Sequence, residues 1–395
     1  MTTVLPQAPR VAAVILAAGL SSRMEGGFKP LMPLGGATVL ERAAVLLHQC
    51  GAEHALVVAG NRACEVNAEA QRLGLACVEN PDFLEGMFSS VRAGLAALPG
   101  GFDAVLVLPV DIPLVRPATV RLLLASWRGQ AVAYPTFAGE RGHPPLLAAR
   151  TVPSVLAWDG NRGLRGALEA VEMLEPALET PCADANILFD LDTPEDYREA
   201  ALRAARLSRP GTAEALALLA LHGVPERGLA HARAVARVAV ALADALNARR
   251  VLSGALPPLD TELIESAALL HDIAKGRPGH EALGGRILDA AGFPEAARIV
   301  EAHRDLSLPE EAPLTGREVV YLADKLARGA QLVEVSRRFQ EKLDRFGADP
   351  EAFRAISGRR DRALSMLARV EREAGWPVAE ILRRAGLPAP VGGGA

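Results

Sequence analysis

Apolar residues fall into two textures along the chain. From Val11 to about Ala200, short β-branched or aliphatic runs (VAAVIL, HALVVA, FDAVLVL, QAVAY) alternate with longer amphipathic stretches and are bounded by Gly, Pro or Asp. That alternation predicts an α/β domain built from βα units around a mainly parallel sheet, with a strand over Val105 to Leu108. After Leu207, Ala, Leu and Arg recur at helical spacing, as in HARAVARVAVALADALNARR and DTELIESAALLHDIAK, and Pro and Gly are confined to the joints. This half is expected to be all-α, a helical bundle without strands. The Pro-Gly breaker in LSRPGT separates the two textures. The expected organisation is therefore an α/β domain over 1–207, an all-α domain over 208–388 with a helical C-terminal extension, and a disordered tail over 389–395.

Composition narrows the class. A chain of 395 residues exceeds what one hydrophobic core usually organises. Half the residues are apolar and 23% are charged, and no apolar run reaches the roughly eighteen residues of a membrane span. The first apolar run leads into Ser21, Ser22 and Arg23 rather than a small-residue cleavage site, so no secretion signal is expected. Four cysteines without a CxxC pair fit reduced thiols in the cytoplasm. The net charge of −4 and 4% aromatics exclude a nucleic-acid surface, which needs a basic patch and stacking rings. Small phosphorylated ligands are the expected partners. Only four of the 43 basic residues are lysines: Lys29, Lys275, Lys325 and Lys342. If interchangeable lysines have become arginines, those that remain mark places where a compact ammonium matters.

The first apolar run opens into LAAGLSSRMEGGFKPLMPLGG. A glycine-rich turn after a strand lets backbone N–H groups approach a phosphate chain, and Arg23 and Lys29 add cations to neutralise it. Neither the Walker pattern nor the GxGxxG fingerprint is present. Asp111 follows the strand AVLVL at the edge where ligands of open α/β sheets bind, so its carboxylate can carry Mg²⁺; starting a turn is its other use. Asp190 and Asp192 alternate on an extended segment and face the same side. The adjoining TPEDY also reads as a helix start, with Thr193 as N-cap.

The turn resembles the LAAGxSxRMGxxKxLLP signature of the MobA-like nucleotidyltransferases, which build the molybdenum cofactor dinucleotides. GMFSSVRAGL, PVDIP, RGHPPLL, GNRGLRG and FDLDTPEDY follow in the family's order over the first half of the chain. The resemblance implies a Rossmann-like sheet of nucleotidyltransferase type. It implies nucleotide contacts from Leu16, Ala17, Ala18, Gly19, Arg23 and Lys29, and from a base-contacting turn at Gly86, Met87, Ser89 and Ser90. It further implies Mg²⁺ held by Asp111 with Asp190 or Asp192, and an acceptor pocket walled by His143, which could equally be a plain loop histidine. The spacing Arg23-Met24-Glu25-Gly26-Gly27-Phe28-Lys29 departs from the cytidylyl-type RMGxxK, while LAAG departs from the guanylyl-type LAGG. CTP and GTP both stay open. Glu25 near a triphosphate is unfavourable unless it points out or pairs with Arg23.

In the helical half, His231, the adjacent His271-Asp272 and Asp324 occur in the order H…HD…D, and five of the eight histidines lie between His222 and His303. Helix neighbours point about 100° apart, so His271 and Asp272 reach one ion only where several helices cross. The pattern, with LLHDIAKG and LADKLA, is similar to the HD-domain metal-dependent phosphohydrolases. The resemblance implies Mn²⁺, Fe²⁺ or Zn²⁺, in one or two ions, with His280 and His303 as the additional ligands of two-metal members. Asp272 would act with Lys275 on the substrate phosphate, unless Lys275 only pairs with Asp272 at i,i+3.

Together these features imply a bifunctional enzyme. One half transfers CMP or GMP from the triphosphate to a phosphorylated acceptor, molybdopterin foremost; the other hydrolyses a phosphate ester or nucleotide. The alternative is a sugar- or alcohol-phosphate nucleotidyltransferase carrying a nucleotide-sensing HD module without turnover.

Overall fold

The run VAAVIL is buried along its whole length as β1 (Val11–Leu16). Its alternate side chains enter different cores, Ala13 and Ile15 on one face, Ala12, Val14 and Leu16 on the other. A strand covered on both faces needs no polar alternation, which is why the sequence reads as a continuous apolar run. The computed structural model describes residues 9–303, 306 and 312–391, and the chain divides into two compact units, Met1–Leu207 and Ser208–Ala395.

In the first unit the chain passes through a short ribbon, β2 (Pro33–Leu34) and β3 (Ala37–Thr38), into α1 (Val39–Gln49), β4 (His54–Ala59), α2 (Ala63–Arg72) and β5 (Ala76–Glu79). It continues with α3 (Met87–Ala97), β6 (Ala104–Pro109), α4 (Pro117–Ser126), β7 (Val132–Phe137) and β8 (Glu140–Arg141). The unit ends with β9 (Leu146–Ala148), α5 (Val152–Leu156), α6 (Gly163–Glu172), β10 (Leu178–Pro181) and α7 (Pro194–Ala205).

The main sheet has the order β10-β7-β9-β6-β1-β4-β5, with β8 paired to β7. β1 pairs in parallel with both β4 and β6. β9, cut from the RGHPPLL motif, runs antiparallel between β6 and β7. The chain leaves β1 for β4 and β5 on one side and returns to β6 on the other, so a crevice opens at the carboxyl ends of β1 and β6. Gly94 lets α3 lie flat on this sheet: a Cβ there would stand 2.4 Å from Val14 Cγ1 and 2.8 Å from Val58 Cγ2.

The second unit contains α8 (Thr212–Leu221), α9 (Glu226–Ser253), α10 (Thr261–Leu270), α11 (His280–Ala290), α12 (Pro294–Val300) and α13 (Gly316–Lys325). These are followed by β11 (Ala327–Arg328), β12 (Gln331–Leu332), α14 (Val335–Phe346), α15 (Pro350–Ala374) and α16 (Val378–Arg384). α9 is central and packs against α10, α13 and α15; its buried face is mostly Ala, Val and Leu, which lets neighbouring helices approach closely. Asp260 caps α10 by accepting from the Leu263 amide at 2.9 Å, and Thr315 with Glu318 forms a capping box on α13.

Three expectations change here. The half is not free of strands, because β11 and β12 form an antiparallel hairpin turning at Gly329, φ +56°. The tail is ordered through Val391, whose amide donates to Leu332 O at 2.9 Å; residues 392–395 lie outside the described residues. α10 stops at Leu270, so His271 and Asp272 occupy the turn after the helix rather than the helix itself. Among the described residues no helix is long and apolar enough to cross a membrane.

Candidate functional site

The crevice of the first unit is a 290 Å³ cavity bordered by Leu16, Ala18, Gly19, Lys29, Gly86, Met87, Ser90 and Asp111, among others. Ala17, Arg23 and Ser89, expected to touch nucleotide, do not border it. Lys29 is nearly buried and stands 2.6 Å from Asp192 Oδ1 and 3.8 Å from Asp111 Oδ2. Arg23 is exposed and reaches Asp192 Oδ2 at 3.0 Å. The late segment returns to this edge because the Leu191 amide donates to Asp111 O at 2.8 Å.

Burial raises the Asp111 carboxyl, Lys29 opposes the rise, and Asp190 and Asp192 reinforce it. Burial and Asp192 likewise raise Asp190. Asp111 lines the crevice while Asp192 and the exposed Asp190 stand outside its lining, and like charges gathered near one edge favour a cation there. Asp111 and Asp192 flank Lys29, and Mg²⁺ usually takes one or two carboxylates and completes its shell with phosphate and water. Glu25 is exposed and leaves Arg23 to Asp192.

Gly86, at φ +101°, is the N-cap of α3, a conformation that favours glycine. Ser89 and Ser90 lie in the first turn of α3 and both accept from Asn80 Nδ2, at 2.9 and 3.0 Å. Sequence reasoning missed Asn80; its only local signal is an Asn-Pro step closing a strand-like run. His143 is buried, and its amide donates to Ile187 O at 3.0 Å. Its Nδ1 is buried without a hydrogen-bond partner, and burial holds the imidazole below its ordinary value. It does not border the cavity.

In the second unit two groups of three metal-type ligands have their atoms within 4.8 Å of one another: His231, His271 and Asp324, and Asp272, His280 and His303. His231 comes from α9, Asp324 from α13 and His280 from the start of α11, while His303 follows α12. Asp272 joins the groups. Its Oδ2 lies 3.7 Å from His231 Nε2 and 3.3 Å from His271 Nε2, and its Oδ1 lies 3.7 Å from both His280 Nε2 and His303 Nε2.

The imidazoles of His231, His271 and His303 have Nδ1 at 3.3, 2.7 and 2.6 Å from the backbone carbonyls of Gly329, Ala268 and Val300. A carbonyl only accepts, so each Nδ1 carries a proton and each Nε2 is the ring nitrogen turned inward toward the carboxylates. His271 Nε2 is buried and has no hydrogen-bond partner. Imidazole nitrogens and carboxylate oxygens gathered within 4.8 Å of one another are a nitrogen and oxygen set that fits a divalent transition metal.

Burial works to raise Asp324, but Lys325 and Arg338, with His231 and His271 beside them, together hold the carboxyl well below its ordinary range. Lys275 pairs with Asp272 and borders a neighbouring 620 Å³ cavity together with Arg227, His231, Asp272, Arg328 and Arg338. Sequence reasoning missed Arg227, Arg328 and Arg338, since an arginine in so arginine-rich a chain carries no local signal.

The fold and the two sites define the class: an α/β domain with a carboxylate-and-lysine crevice at its switch point, followed by a helical unit built around a histidine-aspartate centre. Residues 13–177 match the MobA-like NTP transferase domain and residues 228–329 the HD domain; the chain belongs to the MobA-like NTP transferases and carries an HD domain behind the transferase. Nicotine blue oxidoreductase of Paenarthrobacter nicotinovorans is 33% identical, over 48% of this chain and 96% of that protein. The molybdenum cofactor cytidylyltransferase of Escherichia coli (strain K12) is 27% identical, over 47% of this chain and 92% of that protein. Bifunctional protein GlmU of Clavibacter sepedonicus is 33% identical, but the match spans only 32% of its length and 42% of this chain. Among solved structures, a nucleotidyl transferase from Methanothermobacter thermautotroptrophicus superposes with a TM-score of 0.44 at 24% identity, covering 50% of this chain and 98% of that one.

Proposed function

We propose that the first unit transfers CMP or GMP from CTP or GTP to a phosphorylated acceptor, molybdopterin in the first instance, and that the second is a two-metal phosphohydrolase of a phosphate ester or nucleotide. The transfer reading rests on Lys29 and Asp111 facing each other across the rim of the glycine-rich crevice, 3.8 Å apart. Lys29 and Arg23 would neutralise the triphosphate, exchanging Asp192 for phosphate oxygens. Gly19 and Gly86 let backbone approach the nucleotide, and Asn80 holds the Ser89 and Ser90 hydroxyls in place beneath it. Asp111, with Asp190 and Asp192, would hold Mg²⁺, which supplies charge neutralisation at the α-phosphate as the pyrophosphate leaves.

The hydrolase reading rests on Asp272, whose two oxygens each face a different pair of histidines. His231, His271 and Asp324 would hold one ion and His280 and His303 a second, with Asp272 shared. Divalent ions there supply Lewis acidity toward a phosphoryl oxygen and acidify water. Lys275, Arg227 and Arg328 would bind the phosphate in the adjoining cavity, and the histidine Nδ1–H bonds keep the ligand nitrogens aimed inward.

The deciding experiment incubates the protein with Mg²⁺, each NTP and molybdopterin, and identifies products by mass. A dinucleotide plus pyrophosphate is expected. Asp111→Asn preserves shape while weakening cation binding, and should lower turnover by about 100-fold or more, roughly 3 kcal/mol of transition-state stabilisation. Near-normal turnover in that variant would refute the role of Asp111. A sugar- or alcohol-phosphate acceptor is the second reading, favoured by one observation: the 290 Å³ cavity does not extend to His143. Product formation from such acceptors but not from molybdopterin would select it.

A further inference from the structure

Arg338 lies on α14, beyond the residues that match the HD domain (228–329), yet its side chain returns to the histidine-aspartate centre. Nη1 donates to two backbone carbonyls, those of Asp324 and Ala327. Nη2 stands 3.3 Å from Asp324 Oδ1. That same oxygen faces the imidazoles, 3.3 Å from His231 Nε2 and 3.8 Å from His271 Nε2. The other carboxylate oxygen, Oδ2, is held by Lys325 Nζ at 2.7 Å, and Lys325 also donates to His303 O at 3.2 Å. The Arg338 side chain is 17% exposed and borders the 620 Å³ cavity.

From this geometry we infer that Arg338 is a positioning residue of the metal centre, so that the C-terminal helices complete a site whose ligands all precede them. The inference rests on the metal reading above. A carboxylate at the end of a helix has two free torsions, and a ligand oxygen must be aimed before an ion arrives. Lys325 fixes one oxygen as a point charge and leaves rotation about the Asp324 side chain open. The planar guanidinium removes that freedom, because one fork grips the backbone of Asp324 and Ala327 while the other meets Oδ1. It also ties the end of α13 to the start of β11, the hairpin whose Gly329 carbonyl accepts from His231 Nδ1. One residue thereby steadies two members of the same triad. Loss of such an outer partner typically costs about 10–100-fold in metal affinity.

The test measures Mn²⁺ binding to the full chain by equilibrium dialysis, with thermal unfolding of the metal-free proteins alongside. The variants are Arg338→Met, which keeps the aliphatic stem and removes the fork, and Arg338→Lys, which keeps the charge and removes the planar geometry. The unsubstituted chain should bind two ions. Both variants should weaken one of the two ions by about 10–100-fold and leave the other unchanged, and Arg338→Lys should unfold at the temperature of the parent without metal. Two unchanged dissociation constants in Arg338→Lys overturn the inference. So does parallel weakening of both ions with a lower unfolding temperature, which marks a general packing role. An unsubstituted chain that binds no Mn²⁺ overturns the metal reading itself, and with it this inference; the parent protein alone distinguishes that failure from the others.

Discussion

Asp272 and Lys29 do comparable work at the two sites: each is one side chain meeting several partners of opposite character. Lys29 meets Asp111 and Asp192, and Asp272 meets four histidines and Lys275. The scarcity of lysine makes this partly legible beforehand, because Lys29, Lys275 and Lys325 all stand at a crevice or metal-type cluster. Arginine hides its roles: nothing in VSRRFQ separates Arg338 from its neighbour, since its partners, two backbone carbonyls and the Asp324 carboxylate, are brought close only by the fold. His143 gives a residue-scale prediction. Burial holds its folded-state pKa below the ordinary 6.5, whereas the unfolded chain takes up its proton near that value. Below pH 6.5 the unfolded state therefore binds more protons, so stability is full above about 6.5 and is lost as pH falls through the lowered native value. Thermal unfolding from about pH 7 to about pH 5 should fall more steeply for the parent than for His143→Gln. Identical slopes would show that His143 is not the group responsible.

At the scale of elements, what the sequence showed plainly was whatever local pattern determines. β1, β4 and β6 are aliphatic runs bounded by Gly, Pro or Asp, and α9 and α10 carry apolar residues at helical spacing. β9 was hidden because three residues acquire strand character only by pairing with β6 and β7, a long-range event. The hairpin β11–β12 was hidden because LARGAQLV reads as helix until Gly329 adopts positive φ. The end of α10 matters most for chemistry. While His271 and Asp272 are pictured on a helix, they diverge; in the turn after Leu270 they meet partners on four other segments, α9, the start of α11, the turn after α12 and α13. From this placement His280, opening α11, and His303, following α12, belong to one group, and His231 and Asp324 to the other. His280→Ala, His303→Ala or His271→Ala should each remove about one ion and leave a weaker site, whereas Asp272→Ala, which removes the carboxylate both groups share, should remove both. Metal analysis of the purified protein reads this directly. One ion per chain in the parent, unaffected by His280→Ala or His303→Ala, would leave those two histidines without a metal role.

The molecule as a whole changes allegiance between Leu207 and Ser208. Leu207 O accepts from Arg116 Nε at 2.9 Å, and Arg116 is in turn buried against Asp184 at 2.6 Å, so the last residue of the first unit is tied into its own core. The next two residues look the other way: Ser208 Oγ meets Glu295 at 2.5 Å, and Arg209 pairs with Asp260 and Glu295. Asp260 is also the cap of α10, the helix that delivers His271, so the start of the second unit supports its own site. Each unit holds a sizeable buried core, and we expect residues 1–207 and 208–395, produced separately, to unfold cooperatively. The first should retain nucleotidyl transfer and the second should retain metal uptake. A second piece beginning at Thr212 loses Ser208 and Arg209 together with Pro210 and the Gly211 N-cap of α8, and should be less stable than the piece beginning at Ser208 by about 1 kcal/mol or more. Denaturant unfolding of the three pieces measures all of this. A molten first or second piece would mean that the units depend on each other, and equal stability of the pieces beginning at Ser208 and Thr212 would mean that the Arg209 contacts do not support the second unit.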